Sequence, residues 1–176
     1  MNKILINTLK GFTDFLEKNK PDLVIVHGDR VEPLACAMAS VLRNVKIAHV
    51  EGGEVTGTID ESIRHATTKF SHLHFTSNKK ASKRLIKMGE KPKFIFTVGN
   101  PSLDNIKNIP KIHQSLLNKE FGINVKKPFV IVIQHTVTTE ADHGDKYMLQ
   151  IIEAINESKI QAIVILGNSD FGSQKI

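Results

Sequence analysis

Acidic side chains recur at the points where predicted strands end. Asp29 follows one short apolar run and Glu51 follows the next. Asp60 and Glu61 then open the helix after the second run. Both runs are rich in valine and isoleucine and are bounded by polar or glycine residues, which is typical of buried parallel strands. Because ligands bind outside the carboxyl ends of such strands, we expect these carboxylates to converge on one crevice.

Crowded carboxylates would give this crevice a particular chemistry. They titrate as a group, and we expect one of them to be held protonated. Such a cluster can supply a general base, a general acid and stabilisation of an oxocarbenium-like cation.

Each acid also has a plainer structural explanation. Asp29 could cap the helix that follows it. Glu51 could be a loop glutamate paired with Arg30 or Arg64. Glu61 and Arg64 could form an i, i+3 surface pair, worth a few tenths of a kcal/mol. Taken together, the acids at successive strand ends outweigh these separate explanations.

Glycines and histidines complete the candidate site. Gly52 and Gly53 follow Glu51, and their backbone N–H groups can form a nest for an anion. His49 lies in the same motif and could orient a carboxylate. His135 ends a strong apolar run later in the chain. Its plainer role is to cap that strand end.

The order of the elements predicts an α/β fold. Apolar runs predict strands at 23–26, 45–50, 73–76 and 94–98, and helices at 7–19, 34–42, 60–69 and 79–88, the last capped by Ser77 or Asn78. This order predicts a parallel sheet with right-handed connections and helices on both faces. The pattern breaks after Gly99, so we predict one domain over residues 1–105 and the start of a second over 106–176. In the second we predict helices at 112–121 and from Thr138 or Thr139 to 157, and strands at 129–134 and 160–166.

Composition narrows the class of protein. With 176 residues and 40% apolar content, the chain is long enough for a folded core. Its only cysteine, Cys36, cannot form an internal disulfide, which together with the lack of a long apolar run favours the cytoplasm and no membrane partner. The net charge of +6 would suit nucleic acid or an anionic small molecule. One tyrosine and no tryptophan offer few stacking platforms, so we expect no nucleic acid.

A metal site is not expected. His72 and His74 lie close enough in sequence to share a metal, but no third ligand has suitable spacing. The standard dinucleotide and P-loop glycine motifs are also absent from the sequence.

Several motifs in fixed order resemble those of the hydrolysing UDP-N-acetylglucosamine 2-epimerases. They are HGDR, HVEGGEVTGTIDESIRH, SHLHF and VGNPSLD. The resemblance implies a Rossmann-like, two-lobed fold of the GT-B type, shared with UDP-glycosyltransferases, in which the active site lies between the lobes. Members are about twice as long as this chain. The resemblance therefore implies the later part of the first lobe and an incomplete second lobe.

The resemblance also implies roles for individual residues. It implies that the catalytic residues are Asp29, Glu51, Glu61 and His135. Asp60 is the alternative to Glu61. The match at His135 rests on the short sequence VIQHTVTTE. It implies that the substrate contacts Arg30, Gly52, Gly53, Arg64, Asn168 and Ser169.

The implied reaction converts UDP-N-acetylglucosamine to N-acetylmannosamine and UDP, for sialic-acid-type sugars. It implies no cofactor and no catalytic metal, with a nucleotide sugar as the partner. An exposed sheet edge would favour association, either as a homo-oligomer or with complementary segments on another chain. Because remote binding energy supports the chemical step, we expect little turnover from a partial chain.

Three other functions remain open from the sequence. A glycosyltransferase could share the two-lobed fold. A non-catalytic protein could bind nucleotide sugars only. A nucleic-acid-binding module would explain the charge but not the acidic strand ends.

Overall fold

The computed structural model describes residues 2–135, 143–167 and 173, which fall into two compact units, Met1–Asn108 and Ile109–Ile176. The first unit contains α1 (Asn2–Asn19), β1 (Leu23–His27), α2 (Val31–Leu42), β2 (Lys46–Val50), α3 (Ile59–Phe70), β3 (Leu73–Thr76), α4 (Lys79–Lys87), a short 3₁₀ turn (Pro92–Phe94), β4 (Ile95–Thr97) and α5 (Pro101–Asn108). The second contains α6 (Gln114–Phe121), β5 (Phe129–Ile133), α7 (Gly144–Ser158) and β6 (Gln161–Ile165). The assignment of these units as lobes of a larger enzyme stays a prediction.

The first unit is built on a four-stranded parallel sheet in the order β1-β2-β3-β4. The register pairs Val26 with His49, and His49 with His74, so these side chains share one face. On that face the buried core joins α1, α2 and the sheet, through Leu16, Val24, Val26, Ala37, Ala39 and Ile47. Burying each large aliphatic side chain stabilises the unit by about 1.5–3 kcal/mol.

The expectation of helices on both sheet faces is wrong for the described part of the first unit. The α3 residue Thr68 contacts His49, and the α4 residue Ser82 contacts Thr76, both on the face that carries the core. Each strand is added on the same side of the one before it, so right-handed connections place successive helices on the same face. On the other face, Ile25 is 66% exposed.

Local signals predicted most element ends within a few residues. The Asn78 side chain caps α4 by accepting a hydrogen bond from the Ala81 N–H at 2.9 Å. Helix α5 was not predicted, because its apolar residues Leu103 and Ile106 are exposed and form no buried stripe. The predicted caps Thr138 and Thr139 lie outside the described residues.

The second unit contains a parallel pair of strands, β5 and β6. Gln161, at the start of β6, holds the segment before β5 in place, because its Oε1 accepts a hydrogen bond from the Asn124 N–H at 2.6 Å. Ile123 and Met148 are buried, whereas every residue of β5 is exposed or half-buried. Over the described residues of the whole chain, no helix is long and apolar enough to cross a membrane.

Candidate active site

Asp29 is held by Arg64 at the carboxyl end of β1. The Arg64 guanidinium lies on α3, is only 5% exposed, and donates to the Asp29 carboxylate. It also donates to the Glu54 carbonyl oxygen at 2.8 Å. Helix α2 starts at Val31 without a side-chain cap, so Asp29 does not serve as its N-cap. The carboxylate is instead oriented by a cation from another element.

Glu51 is held by His27. The His27 Nε2 and the Glu51 Oε2 are 2.6 Å apart, and His27 is the last residue of β1. The Glu51 backbone has φ +65° and donates its N–H to the Phe75 carbonyl at 2.8 Å. Glu51 is therefore neither a solvated loop residue nor, among the described contacts, the partner of Arg30 or Arg64.

Glu61 orders the loop before α3. Its Oε2 accepts from the backbone N–H groups of Gly57 and Thr56, at 2.9 and 3.0 Å. The hydrogen bond from Gly57 and, to a smaller extent, the one from Thr56 lower the pKa of Glu61. The expectation that a crowded carboxyl is held protonated is therefore not met at Glu61. The plainer explanation of Glu61, an i, i+3 surface pair with Arg64, is not seen among the described contacts, because Arg64 contacts Asp29 instead.

Asp60 lies beside Glu61 in the first turn of α3. Its Oδ2 accepts from the Thr58 hydroxyl at 3.2 Å. Asp60 thus receives a side-chain hydroxyl, whereas Glu61 receives two backbone N–H groups. Of the two, Asp60 has the carboxylate less engaged by the loop.

His49 joins the loop after β1 to β2 and α3. Its Nε2 donates to the Gly28 carbonyl at 2.9 Å, and its Nδ1 accepts from the Thr68 hydroxyl at 3.0 Å. The ring is fully buried, and this burial lowers the pKa of His49 to about 4. It is therefore neutral at neutral pH, and it fixes the loop that carries Asp29.

The two glycines after Glu51 allow close packing. A Cβ at Gly52 would lie 3.0 Å from both the His49 Nδ1 and the Thr68 hydroxyl oxygen. Gly53 has φ +85°, and a Cβ there would lie 2.7 Å from the Ala81 carbonyl oxygen. Packing and backbone conformation therefore require glycine at Gly53 and leave little room for a side chain at Gly52, and the predicted anion nest stays a prediction.

The remaining predicted site residues have weaker structural context. Arg30 is exposed and lies 3.7 Å from Glu32. His135, two residues after β5, is exposed. Asn168 and Ser169 lie outside the described residues. Of the predicted site residues, the structure brings Asp29 and Arg64 into contact, and the roles of all of them stay predictions.

Sequence reasoning missed partners of the site. One missed partner is His27, which binds Glu51. The available signal was its position directly before Gly28 and Asp29 at the end of a predicted strand. Arg84 on α4 donates to the Gly53 carbonyl. The Glu54 carboxylate accepts from the Asn78 side-chain amide at 2.6 Å.

The histidines considered for a metal have other partners. His72 Nδ1 accepts from the Ile47 N–H at 3.2 Å. His74 Nε2 lies 3.3 Å from Glu90, which also contacts Lys69 at 2.6 Å. In the described ranges, no group of three or more His, Cys, Asp or Glu residues is arranged to hold a metal ion.

Similar proteins share both sequence and fold. The chain is 38% identical over 176 residues to the hydrolysing UDP-N,N'-diacetylbacillosamine 2-epimerase of Legionella pneumophila, covering all of this chain and 47% of that protein. It is 36% identical over 178 residues to the UDP-N-acetylglucosamine 2-epimerase of Neisseria meningitidis, covering all of this chain and 46% of that one. The chain thus spans about half the length of these curated relatives.

The solved structure of a Neisseria meningitidis UDP-GlcNAc 2-epimerase bound to UDP-GlcNAc matches with a TM-score of 0.77 at 20% identity. That match covers 97% of this chain and 49% of the other. The predicted fold class is confirmed: α/β with parallel sheets, corresponding to about half of a GT-B-type epimerase. The family model for UDP-N-acetylglucosamine 2-epimerase matches residues 1–176, and the chain belongs to that family.

Proposed function

We propose that this chain carries the acid-rich part of the active site of a hydrolysing UDP-N-acetylglucosamine 2-epimerase. The observation that carries the proposal is the pair of carboxylates at neighbouring strand ends, Asp29 and Glu51, each with its own orienting partner. The names of the Legionella relative and of a Campylobacter jejuni relative, both hydrolysing epimerases, support the hydrolytic reaction.

The reaction has to overcome a C2 hydrogen that is not acidic, because no carbonyl is adjacent to it. Elimination solves this: the C1–O bond to UDP breaks as positive charge develops on the ring, and a base takes the C2 proton. Water then adds to the resulting glucal, with hydroxide at C1 and a proton at C2 on the opposite face. The products are N-acetylmannosamine and UDP.

We assign the base to Glu51. Among the described residues its Oε2 accepts from His27, and its Oε1 accepts no hydrogen bond, so that oxygen is available for a proton. Asp29 then contributes negative charge to the same crevice, where cationic character develops on the sugar. His135 is the candidate contribution of the second unit.

The third carboxylate comes from the pair of Asp60 and Glu61. Glu61 holds two backbone N–H groups, and its lowered pKa makes it a poor general acid. We therefore assign Glu61 to ordering the loop and make Asp60 the candidate for proton transfer. Comparing Asp60→Asn with Glu61→Gln separates the two roles: the first should lower the rate without loss of stability, the second should lower stability.

Substrate contacts are proposed for Arg30, Gly52, Gly53 and Arg64, and for Asn168 and Ser169. The Legionella relative acts, by its name, on a bacillosamine nucleotide, so that sugar is a second candidate substrate. The cytoplasmic location and homo-oligomer formation stay predictions.

The test is a proton NMR time course of the purified chain with UDP-N-acetylglucosamine, with the diacetylbacillosamine nucleotide in a parallel sample. Release of free UDP and N-acetylmannosamine that falls strongly in Asp29→Asn and Glu51→Gln would support the proposal. Accumulation of UDP-N-acetylmannosamine would contradict the hydrolytic assignment. Absence of turnover would show that this chain alone does not carry the activity.

A further inference from the structure

The carboxylates of the site have partners of different chemical kinds. Asp29 contacts a guanidinium, and Glu61 contacts two backbone N–H groups. Glu51 contacts the imidazole of His27 at 2.6 Å. Since Glu51 is the assigned base, the group that orients its carboxylate decides where the proton-accepting oxygen lies.

The backbone brings this pair together. His27 is opposite Val50 in the β1–β2 register, and the Gly28 N–H donates to the Val50 carbonyl at 3.1 Å. Glu51 follows at φ +65°, a left-handed conformation that costs a non-glycine residue about 1–2 kcal/mol. Its N–H bond to Phe75 holds that conformation on the β3 side. The sheet thus imposes an unfavourable backbone conformation at the residue whose carboxylate meets His27.

The exposure of the two side chains fits an orienting contact at a crevice. His27 is 52% exposed and Glu51 is 22% exposed. Two solvated side chains would hold a surface pair only weakly, by at most about 1 kcal/mol. Here the carboxylate is the more enclosed partner, and the Glu51 backbone N–H is bonded to the Phe75 carbonyl on β3.

We propose that His27 is a positioning residue for Glu51, which rests on the proposed function. Its Nε2–H donates to the Glu51 Oε2 and holds the carboxylate so that Oε1 faces the crevice. His27 itself touches no reacting atom. A displacement of about 1 Å at a reacting group can cost about 10²-fold in rate, so loss of this hydrogen bond should lower turnover more than substrate binding.

The test compares two variants of the full chain. His27→Leu removes the donor, whereas His27→Gln keeps an N–H donor at the end of a side chain. We expect His27→Leu to lower kcat about 10- to 100-fold with KM changed less than about threefold, and His27→Gln to recover most of the loss. In a Glu51→Gln background, His27→Leu should have no further effect. Equal losses in both His27 variants would overturn the proposal.

A second arm does not depend on turnover. With ¹³C-labelled glutamate, the Glu51 carboxyl resonance should shift in His27→Leu and return toward its wild-type position in His27→Gln. His72→Leu, which removes a histidine at the amino end of β3, should leave it unchanged. No shift in His27→Leu would overturn the contact and the proposal. A shift without wild-type turnover would support the contact while contradicting the proposed function of the isolated chain.

Discussion

The units Met1–Asn108 and Ile109–Ile176 both contain parallel strands, but they hold their candidate residues differently. In the first, Asp29 and Glu51 are oriented by side chains from other elements. The buried His49 also holds the loop after β1, which carries Asp29, through the Gly28 carbonyl. In the second, His135 is an exposed residue after a strand with no buried position. Packing against other elements thus determines side-chain position in one unit, and the described contacts supply no such constraint for His135.

The largest expected effect is on catalysis in the first unit. Glu51→Gln removes the assigned base but keeps a hydrogen-bonding side chain, and should lower the rate about 10²- to 10⁴-fold. The NMR assay of UDP release measures it. Glu120→Gln, an exposed change on α6, serves as the matched control and should be neutral. A rate within threefold of wild type for Glu51→Gln would remove the carboxylate from the mechanism.

Breaking the ion pair of the site should cost stability next. Arg64→Leu leaves the Asp29 carboxylate without its partner and should lower the free energy of unfolding by about 3 kcal/mol. This is the low end of the range for broken buried pairs, because Asp29 is partly exposed. Arg43→Leu is the control: it removes an exposed pair with Glu17 and should cost less than about 1 kcal/mol. Urea denaturation followed by circular dichroism measures both. Equal losses would show that the Arg64 contact is an ordinary surface pair.

Acid should destabilise the first unit through His49. Its pKa is about 4 when folded, below the ordinary value of 6.5, so the unfolded chain binds more protons between these values. Stability is therefore fully present above pH 6.5 and falls as pH drops toward 4, by about 3 kcal/mol from this residue. Burial lowers the pKa of His74 as well, which adds loss in the same direction. Urea midpoints across this window should fall less steeply in His49→Gln, and an unchanged slope would contradict the assignment.

Alanine substitutions at two glycines near the site distinguish the stability cost of a packing clash from the cost of backbone strain. Both Gly53 and Gly57 have positive φ, but only at Gly53 would a Cβ meet the Ala81 carbonyl, while nothing lies within 4 Å at Gly57. Gly57→Ala should cost about 1 kcal/mol for the left-handed conformation, and Gly53→Ala about 2 kcal/mol or more. Thermal unfolding of the two variants gives the difference. Similar values would mean that α4 moves to accommodate the methyl group.

The smallest expected effect on stability is at His135. Because the side chain is exposed, His135→Ala should change the free energy of unfolding by less than about 0.5 kcal/mol. If its catalytic role is correct, the same variant should still lower UDP release. A loss of stability comparable to that of Arg64→Leu would show that the second unit holds this residue as tightly as the first holds its carboxylates.

Much of the fold was predictable because its signals are local. The four strands of the first sheet are short apolar runs, and Asn78 caps α4 through a bond spanning three residues. Helix α5 was missed because Leu103 and Ile106 are exposed, so no burial pattern marks it. The one-sided covering of the sheet was missed because it depends on strand order.

The sequence by itself determined which acids stand at strand ends, because apolar runs and the residues that follow them are properties of neighbouring positions. Only the tertiary structure decided which partner each acid takes. Arg64 meets Asp29 across 35 residues, and His27 meets Glu51 across 24. Such contacts depend on register and strand order, since these determine which side chains from distant parts of the chain become neighbours. For the same reason, only the structure showed that Glu61 faces two backbone N–H groups and leaves Asp60 the freer carboxylate.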